Sequence, residues 1–139
     1  KLARTRFIDH ASGWQDQGYE EMKSRHIYFR PVKLKNDGRA LALTEYGGYI
    51  LAVDGHRWTD KVFGYRICRN SAALAHDYEK LMLGQILPHI RKEGLTAAVY
   101  TQITDVEEEL NGLMTYDREV LKIPEETLRE INAALRFDA

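Results

Sequence analysis

The sequence predicts an α/β domain built on a parallel sheet. Short apolar runs suited to strands alternate with helical periodicity, in the order strand, long loop, helix, strand, loop, helix from residue 40 onward. Two of those runs are nearly continuous in apolar character, as strands covered on both faces should be. A carboxylate, Glu45, closes one of them ahead of a long segment, and parallel sheets hold their ligands at such carboxyl ends.

In chain order, four extended segments are expected: Arg6–His10, Arg25–Phe29, Ala40–Tyr46 and Ala97–Ile103. Each is rich in β-branched, aromatic or small apolar residues and is bounded by polar or Gly-containing stretches. A helix is expected over Ser71–Lys92, where Leu74, Tyr78, Leu81, Met82, Ile86 and Ile90 recur at spacings of three and four. Asn70 or Ser71 caps its start and Gly94 stops it. Pro88 predicts a kink or division near His89, because proline lacks an N–H and its ring meets the carbonyl one turn back. A second helix opens at Pro124, with Glu125 and Glu126 in its first turn and a stripe of Leu128, Ile131 and Leu135. Residues 47–69 are expected as a long functional loop holding Tyr49, Trp58, Phe63 and Tyr65.

A chain of 139 residues makes one domain, residues 1–139, that buries about two-thirds of its unfolded surface. The formal net charge of −1 supplies no global field for nucleic acid or an acidic membrane, and neither partner is expected. No apolar stretch approaches the roughly 20 residues of a membrane span. Cys68, the single cysteine, excludes an intrachain disulfide and a Cys-based zinc site, and fits a reducing, cytoplasmic compartment. The five histidines show no H-x-x-x-H or H-E-x-x-H spacing, so no metal centre is expected. No Gly-rich phosphate loop occurs, no cofactor is implied, and neither Cys68 nor any serine has the context of a nucleophile elbow.

Three blocks carry a resemblance: "LTEYGGY" (43–49), "RFIDHASGWQDQGYEEMKSRHIYFRP" (6–31) and "AAVYTQITDVEEELNGLMTYDRE" (97–119). Together they resemble glycoside hydrolase family 2, the group of β-galactosidases, β-glucuronidases and β-mannosidases, in the family's order and over nearly the whole chain. The resemblance implies a (β/α)8 TIM barrel. A full barrel takes about 250 residues, so this chain would hold its C-terminal half, about strands five to eight. It also implies hydrolysis of O-glycosidic bonds in β-glycosides by a retaining double displacement. There one carboxylate attacks the anomeric carbon and a second, about 5–5.5 Å away, protonates the leaving oxygen. The nucleophile would be Glu45.

In the family the acid/base is the Glu of an Asn-Glu pair upstream of the nucleophile. Here the asparagines precede Asp37, Ser71, Gly112 and Ala133, so no such pair exists. The acid/base is therefore expected on an absent upstream segment. The chain, which begins at Lys1, reads as a piece of a longer enzyme and inactive by itself. Tyr28 is expected to orient the nucleophile or line the sugar pocket. His26 and His10, near strand ends, would hydrogen-bond sugar hydroxyls, and Trp14 and Trp58 would stack on the C–H faces of sugar rings. By resemblance Tyr100 and Gln102, with Thr101 and Asp105, close the pocket floor, although relatives often carry Trp near Tyr100. Each has a plainer alternative as a core aromatic, a satisfied histidine or loop packing. Glu107-Glu108-Glu109 reads as a solvated charge run and Asp117-Arg118 as a structural ion pair.

The other reading is a non-catalytic carbohydrate-binding or interaction module derived from half a barrel, motivated by the missing acid/base and the aromatic loops. Glu45→Gln separates the two, since a binding module tolerates it. A half-barrel exposes two sheet edges and the apolar faces meant for its other half. The isolated chain is therefore expected to self-associate, or to contact the missing half in the parent. Sedimentation velocity should show dimers or larger species at micromolar concentration; a highly stable monomer would contradict the half-barrel.

Overall fold

The computed structural model describes residues 5–9, 13–63 and 65–136. In chain order its elements are β1 (Met22–Ile27), β2 (Ala40–Gly47), β3 (Tyr49–Ile50), β4 (Arg66–Ile67), α1 (Ser71–Leu81), a π-helical turn (Met82–Ile86), α2 (Leu87–Glu93), β5 (Leu95–Thr101) and α3 (Glu125–Ala134). β1, β2 and β5 pair in that order, all parallel, in agreement with an α/β domain. β3 and β4 make a second, two-stranded parallel sheet inside the segment expected as loop. No helix among the described residues is long and apolar enough to cross a membrane.

The strand boundaries differ from expectation for local reasons. Residues 6–9 carry no strand, and His10 lies outside the described residues. Two backbone bonds still reach β1 from this part of the chain: the Met22 N–H donates to the Ile8 carbonyl (3.4 Å) and the His26 N–H to the Gly13 carbonyl (3.0 Å). Two isolated bonds do not make a ladder. β1 begins earlier than Arg25 because Ala40–Ala42 pair back to Met22–Ser24. It ends earlier because the chain turns at Phe29 (φ 57°), where the Arg30 N–H reaches the Tyr28 carbonyl at 2.6 Å. β5 is shifted toward its N-terminal end. After Thr101 the backbone leaves β2, and Gln102 exchanges bonds with Asn111 and Leu113 of the following loop. Nor is β5 covered on both faces, since Val99 is 54% exposed.

The long helix is divided near His89 as expected, the interruption lying just upstream of Pro88. Pro88 has no N–H for the carbonyl one turn back. The helix widens ahead of it, so that the Leu87 N–H bonds the Met82 carbonyl five residues earlier. α2 then restarts with Pro88 in its first turn, where an N–H has no partner to lose. Asn70 caps α1 as expected, its side chain accepting the Ala73 N–H at 2.9 Å.

One face of the main sheet is packed by the helices. Leu41, Leu43 and Tyr46 of β2 and Leu95 of β5 join Leu74, Tyr78, Leu81, Met82 and Ile86 in a single cluster, closed below by Ile131 of α3. Each large apolar side chain buried there contributes about 1.5–3 kcal/mol. The loop after β5 is fastened separately. Lys122, fully buried, places Nζ 2.6 Å from Asp105 Oδ1 and 3.1 Å from the Leu110 carbonyl, and Asp105 also accepts the Gly112 N–H at 2.8 Å. Burial pushes the Asp105 carboxyl up and the Lys122 ammonium down, and the contact between them opposes both shifts.

Removing one member of such a pair strands a buried charge. Lys122→Met should destabilise the fold by about 3–5 kcal/mol, and adding Asp105→Leu should recover part of that loss. Urea unfolding of both variants measures it; a loss under about 1 kcal/mol for Lys122→Met would contradict the pairing.

Candidate functional site

Side chains alternate along a strand, so with Leu41 and Leu43 facing the helices, Glu45 should face them too. One surplus residue prevents this. Arg25 pairs with Leu43 but His26 pairs with Glu45, leaving Thr44 bulged from the ladder. β5 meets the same surplus, with Leu43 opposite Ala98 and Tyr46 opposite Tyr100. Such a bulge re-aims the side chains beyond it. Tyr46 enters the core, and Glu45, its side chain 44% exposed, turns to the open face. β2 continues two residues beyond Glu45, so the carboxylate stands on the strand and not past its end.

Tyr28 meets it from β1's end. The Tyr28 hydroxyl donates to Glu45 Oε2 at 3.0 Å, and the Thr101 hydroxyl lies 2.9 Å from the same phenol oxygen. A phenol has one proton; with that proton on Glu45, its oxygen accepts from Thr101. The Tyr28 hydroxyl thus links Glu45 of β2 to Thr101 of β5. Burial and then the Glu45 charge push the Tyr28 hydroxyl well above its ordinary range, so it remains a donor.

His26 approaches the same oxygen. Its Nδ1 is 3.2 Å from Glu45 Oε2 without hydrogen-bond alignment, and neither ring nitrogen has a hydrogen-bond partner among the described residues although the ring is buried. Trp14 packs edge-on against it, centroids 5.1 Å apart. Gly13 (φ 88°) makes this approach possible, because a Cβ there would lie 2.0 Å from the imidazole.

The open face holds a cleft of about 410 Å3 bordered by Tyr28, Glu45, Tyr65, Val99, Gln102 and Glu109. Tyr65 stacks on Tyr28 at 4.3 Å, and burial, then Glu109 and Glu45, raise its phenol. Gln102 Nε2 donates to Asn111 Oδ1 (2.8 Å) and Glu109 Oε2 (3.3 Å). Glu109 therefore borders the cleft on one edge of the solvent-exposed charge run. Tyr100 also borders the cleft, yet its ring packs among Tyr46 and Tyr78 in the core. Trp14 and Trp58 lie outside the cleft, the latter edge-on to Tyr116 at 5.7 Å. Neither Tyr65 nor Glu109 is singled out by the sequence. Tyr65 is one of several aromatics in its segment, and nothing in the spacing of Glu109 says which way it faces.

The chain matches no family model and no curated protein. Its function is inferred from the geometry at Glu45 and from the resemblance of the three sequence blocks.

A separate cluster joins residues that the sequence keeps apart. His56, Asp117 and Glu119 bring one donor atom each within 4.8 Å of one another. His56 Nδ1 meets Asp117 Oδ2 at 2.8 Å, and Asp117 Oδ1 takes the Thr115 hydroxyl and the Glu119 N–H. Asp117 is thus partnered by His56 and its own turn, and not by Arg118 as the sequence suggested. Thr115 and His56 hold its carboxyl at about 2, below the ordinary 3.8. A carboxyl depressed by folding stabilises the fold above its unfolded pKa, and the gain is lost as pH falls through the folded one. The melting temperature should therefore drop more steeply for the wild type than for Asp117→Asn between pH 3.8 and about 2. Parallel curves across that window would contradict the assignment.

Proposed function

We propose that this chain carries the nucleophile side of a retaining β-glycosidase site, with Glu45 as the nucleophile. The observation that supports it best is the arrangement at Glu45 itself. One oxygen of the carboxylate is held by the Tyr28 hydroxyl, backed by Thr101, and the side chain borders an open cleft. A nucleophilic carboxylate needs this combination of fixed orientation and access to substrate. The resemblance of residues 6–31, 43–49 and 97–119 to glycoside hydrolase family 2 agrees with it.

In the proposed reaction Glu45 attacks the anomeric carbon as the glycosidic C–O bond breaks, giving a glycosyl ester and the free alcohol. A carboxylic acid from an upstream segment of the parent protonates the departing oxygen. The same group, now a base, takes a proton from the water that hydrolyses the ester. As Glu45 gives up its charge, the Tyr28 hydroxyl steadies the oxygen left behind and favours the reverse charge change on hydrolysis. The parent fold is proposed to be a (β/α)8 barrel with this sheet as three of its neighbouring strands. The proposed chemistry needs only carboxylates and water.

Activated 2-deoxy-2-fluoro β-glycosides test this directly, because their leaving groups depart without an acid. Intact-mass analysis across a panel of sugars should show one glycosyl adduct, mapping to Glu45 and absent from Glu45→Gln. In the parent enzyme Glu45→Ala should lower turnover by at least about 10,000-fold. Labelling at another residue, or a parent that stays active with Glu45→Ala, would refute the assignment.

A further inference from the structure

A second cavity of about 390 Å3 adjoins the Glu45 cleft, and the stacked pair Tyr28 and Tyr65 lines both. Its remaining wall includes Phe29, Arg30, Tyr49 and Arg66, with Leu81 and Gln85 contributed from the helices. The two arginines differ. Arg66 is neutralised by Asp77, with Nε 2.6 Å from Oδ2. Arg30 is exposed and has no carboxylate partner among the described residues. The backbone that presents it is unusual: a bulky aromatic, Phe29, holds φ 57°, closed by the 2.6 Å bond from the Arg30 N–H to the Tyr28 carbonyl. Left-handed backbone at such a residue is strained, and strain of this kind persists where the surroundings hold it in place. Here Tyr65 does so, with Tyr28 stacked on it and Phe29 edge-on to it at 4.2 Å. The strained turn sets a guanidinium with no carboxylate partner among the described residues beside an aromatic-walled cavity, which shares the Tyr28–Tyr65 pair with the Glu45 cleft.

We propose that this second cavity is a subsite for the leaving group of the glycoside, and that Arg30 selects leaving groups in which a ring carries an acidic substituent. The proposal rests on Glu45 being the nucleophile for its link to catalysis, whereas the subsite itself is testable without any reaction. The ring packs against the aromatic wall and the carboxylate pairs with Arg30, whose planar fork suits it.

Two measurements separate the subsite from the chemistry. First, chemical-shift titration compares 4-methoxybenzoate with its neutral methyl ester on the wild type, Arg30→Gln and Arg30→Lys. An exposed ion pair is worth up to about fivefold. The acid should bind about that much more tightly than the ester to the wild type, keep part of the preference with Arg30→Lys and lose it with Arg30→Gln. Equal binding of acid and ester to the wild type, or an unchanged preference in Arg30→Gln, would overturn the proposal. Second, inactivation rates are compared for 2-deoxy-2-fluoro β-glycosides bearing 4-carboxy-2-nitrophenyl or its methyl ester. A preference for the acid that disappears in Arg30→Gln supports the subsite as part of the glycosidase site. Adducts formed without that preference overturn this inference and leave Glu45 as nucleophile. No adduct, together with Arg30-dependent binding of 4-methoxybenzoate, supports the subsite and counts against the glycosidase reading.

Discussion

The constraint on which the rest depends is the single surplus residue in β2. Because strand side chains alternate, the residues that build the core and the residue that faces the cleft compete for the same parity. Thr44 resolves the competition by standing outside both ladders. Leu41 and Leu43 before it and Tyr46 after it all reach the core, while Thr44 and Glu45 border the cleft. Without the bulge the carboxylate would enter an apolar cluster with no partner, at a cost of several kcal/mol on an order-of-magnitude basis. Core packing and site orientation are therefore one decision. The strand beyond the bulge is tightly held as well. A Cβ at Gly47 (φ 91°) would lie 2.2 Å from the Tyr100 ring, which in turn packs on Tyr46.

The two faces of the sheet have different physics. The helix side is apolar, and its buried contacts hold the strands against the helices. The other side is polar and open, and its groups are ordered by hydrogen bonds among three strands and a loop. The buried Lys122–Asp105 pair matters to this side because it fastens the segment from which Gln102, Glu109 and Asn111 form their network. A loop of this polarity would be free to move if it were held only by water-exposed contacts. A charge pair removed from solvent gives it one arrangement.

The open face is also where the proposed activity lies, and its chemistry is uneven. Glu45 is oriented by Tyr28 and approached by an imidazole without hydrogen-bond partners among the described residues. The neighbouring cavity is aromatic and carries a cation with no carboxylate partner among the described residues. A glycoside bound across both would meet a carboxylate at its reacting carbon and a guanidinium at its far end. In the proposed arrangement reaction and selection thus fall to separate residues.

Much of this was legible in the sequence. The apolar run at 40–46 and the spacing of Leu74, Tyr78, Leu81 and Ile86 determined a buried strand and the helix that covers it, because burial of apolar surface dominates both. The Asn70 cap and the stop at Gly94 followed from backbone chemistry that acts locally. Glu45 and Tyr28 were both marked by their motifs. Tertiary structure alone decided the rest. The bulge at Thr44 arises only when two neighbouring strands impose their registers at once, and the π-turn ahead of Pro88 shows where the helix chose to absorb a local defect. Tyr65, Glu109, Arg30 and the pairing of His56 with Asp117 became neighbours of particular groups because distant loops were brought together. Hydrophobic pattern reports which face of an element is buried; it carries no information about which polar side chains will meet across a cleft.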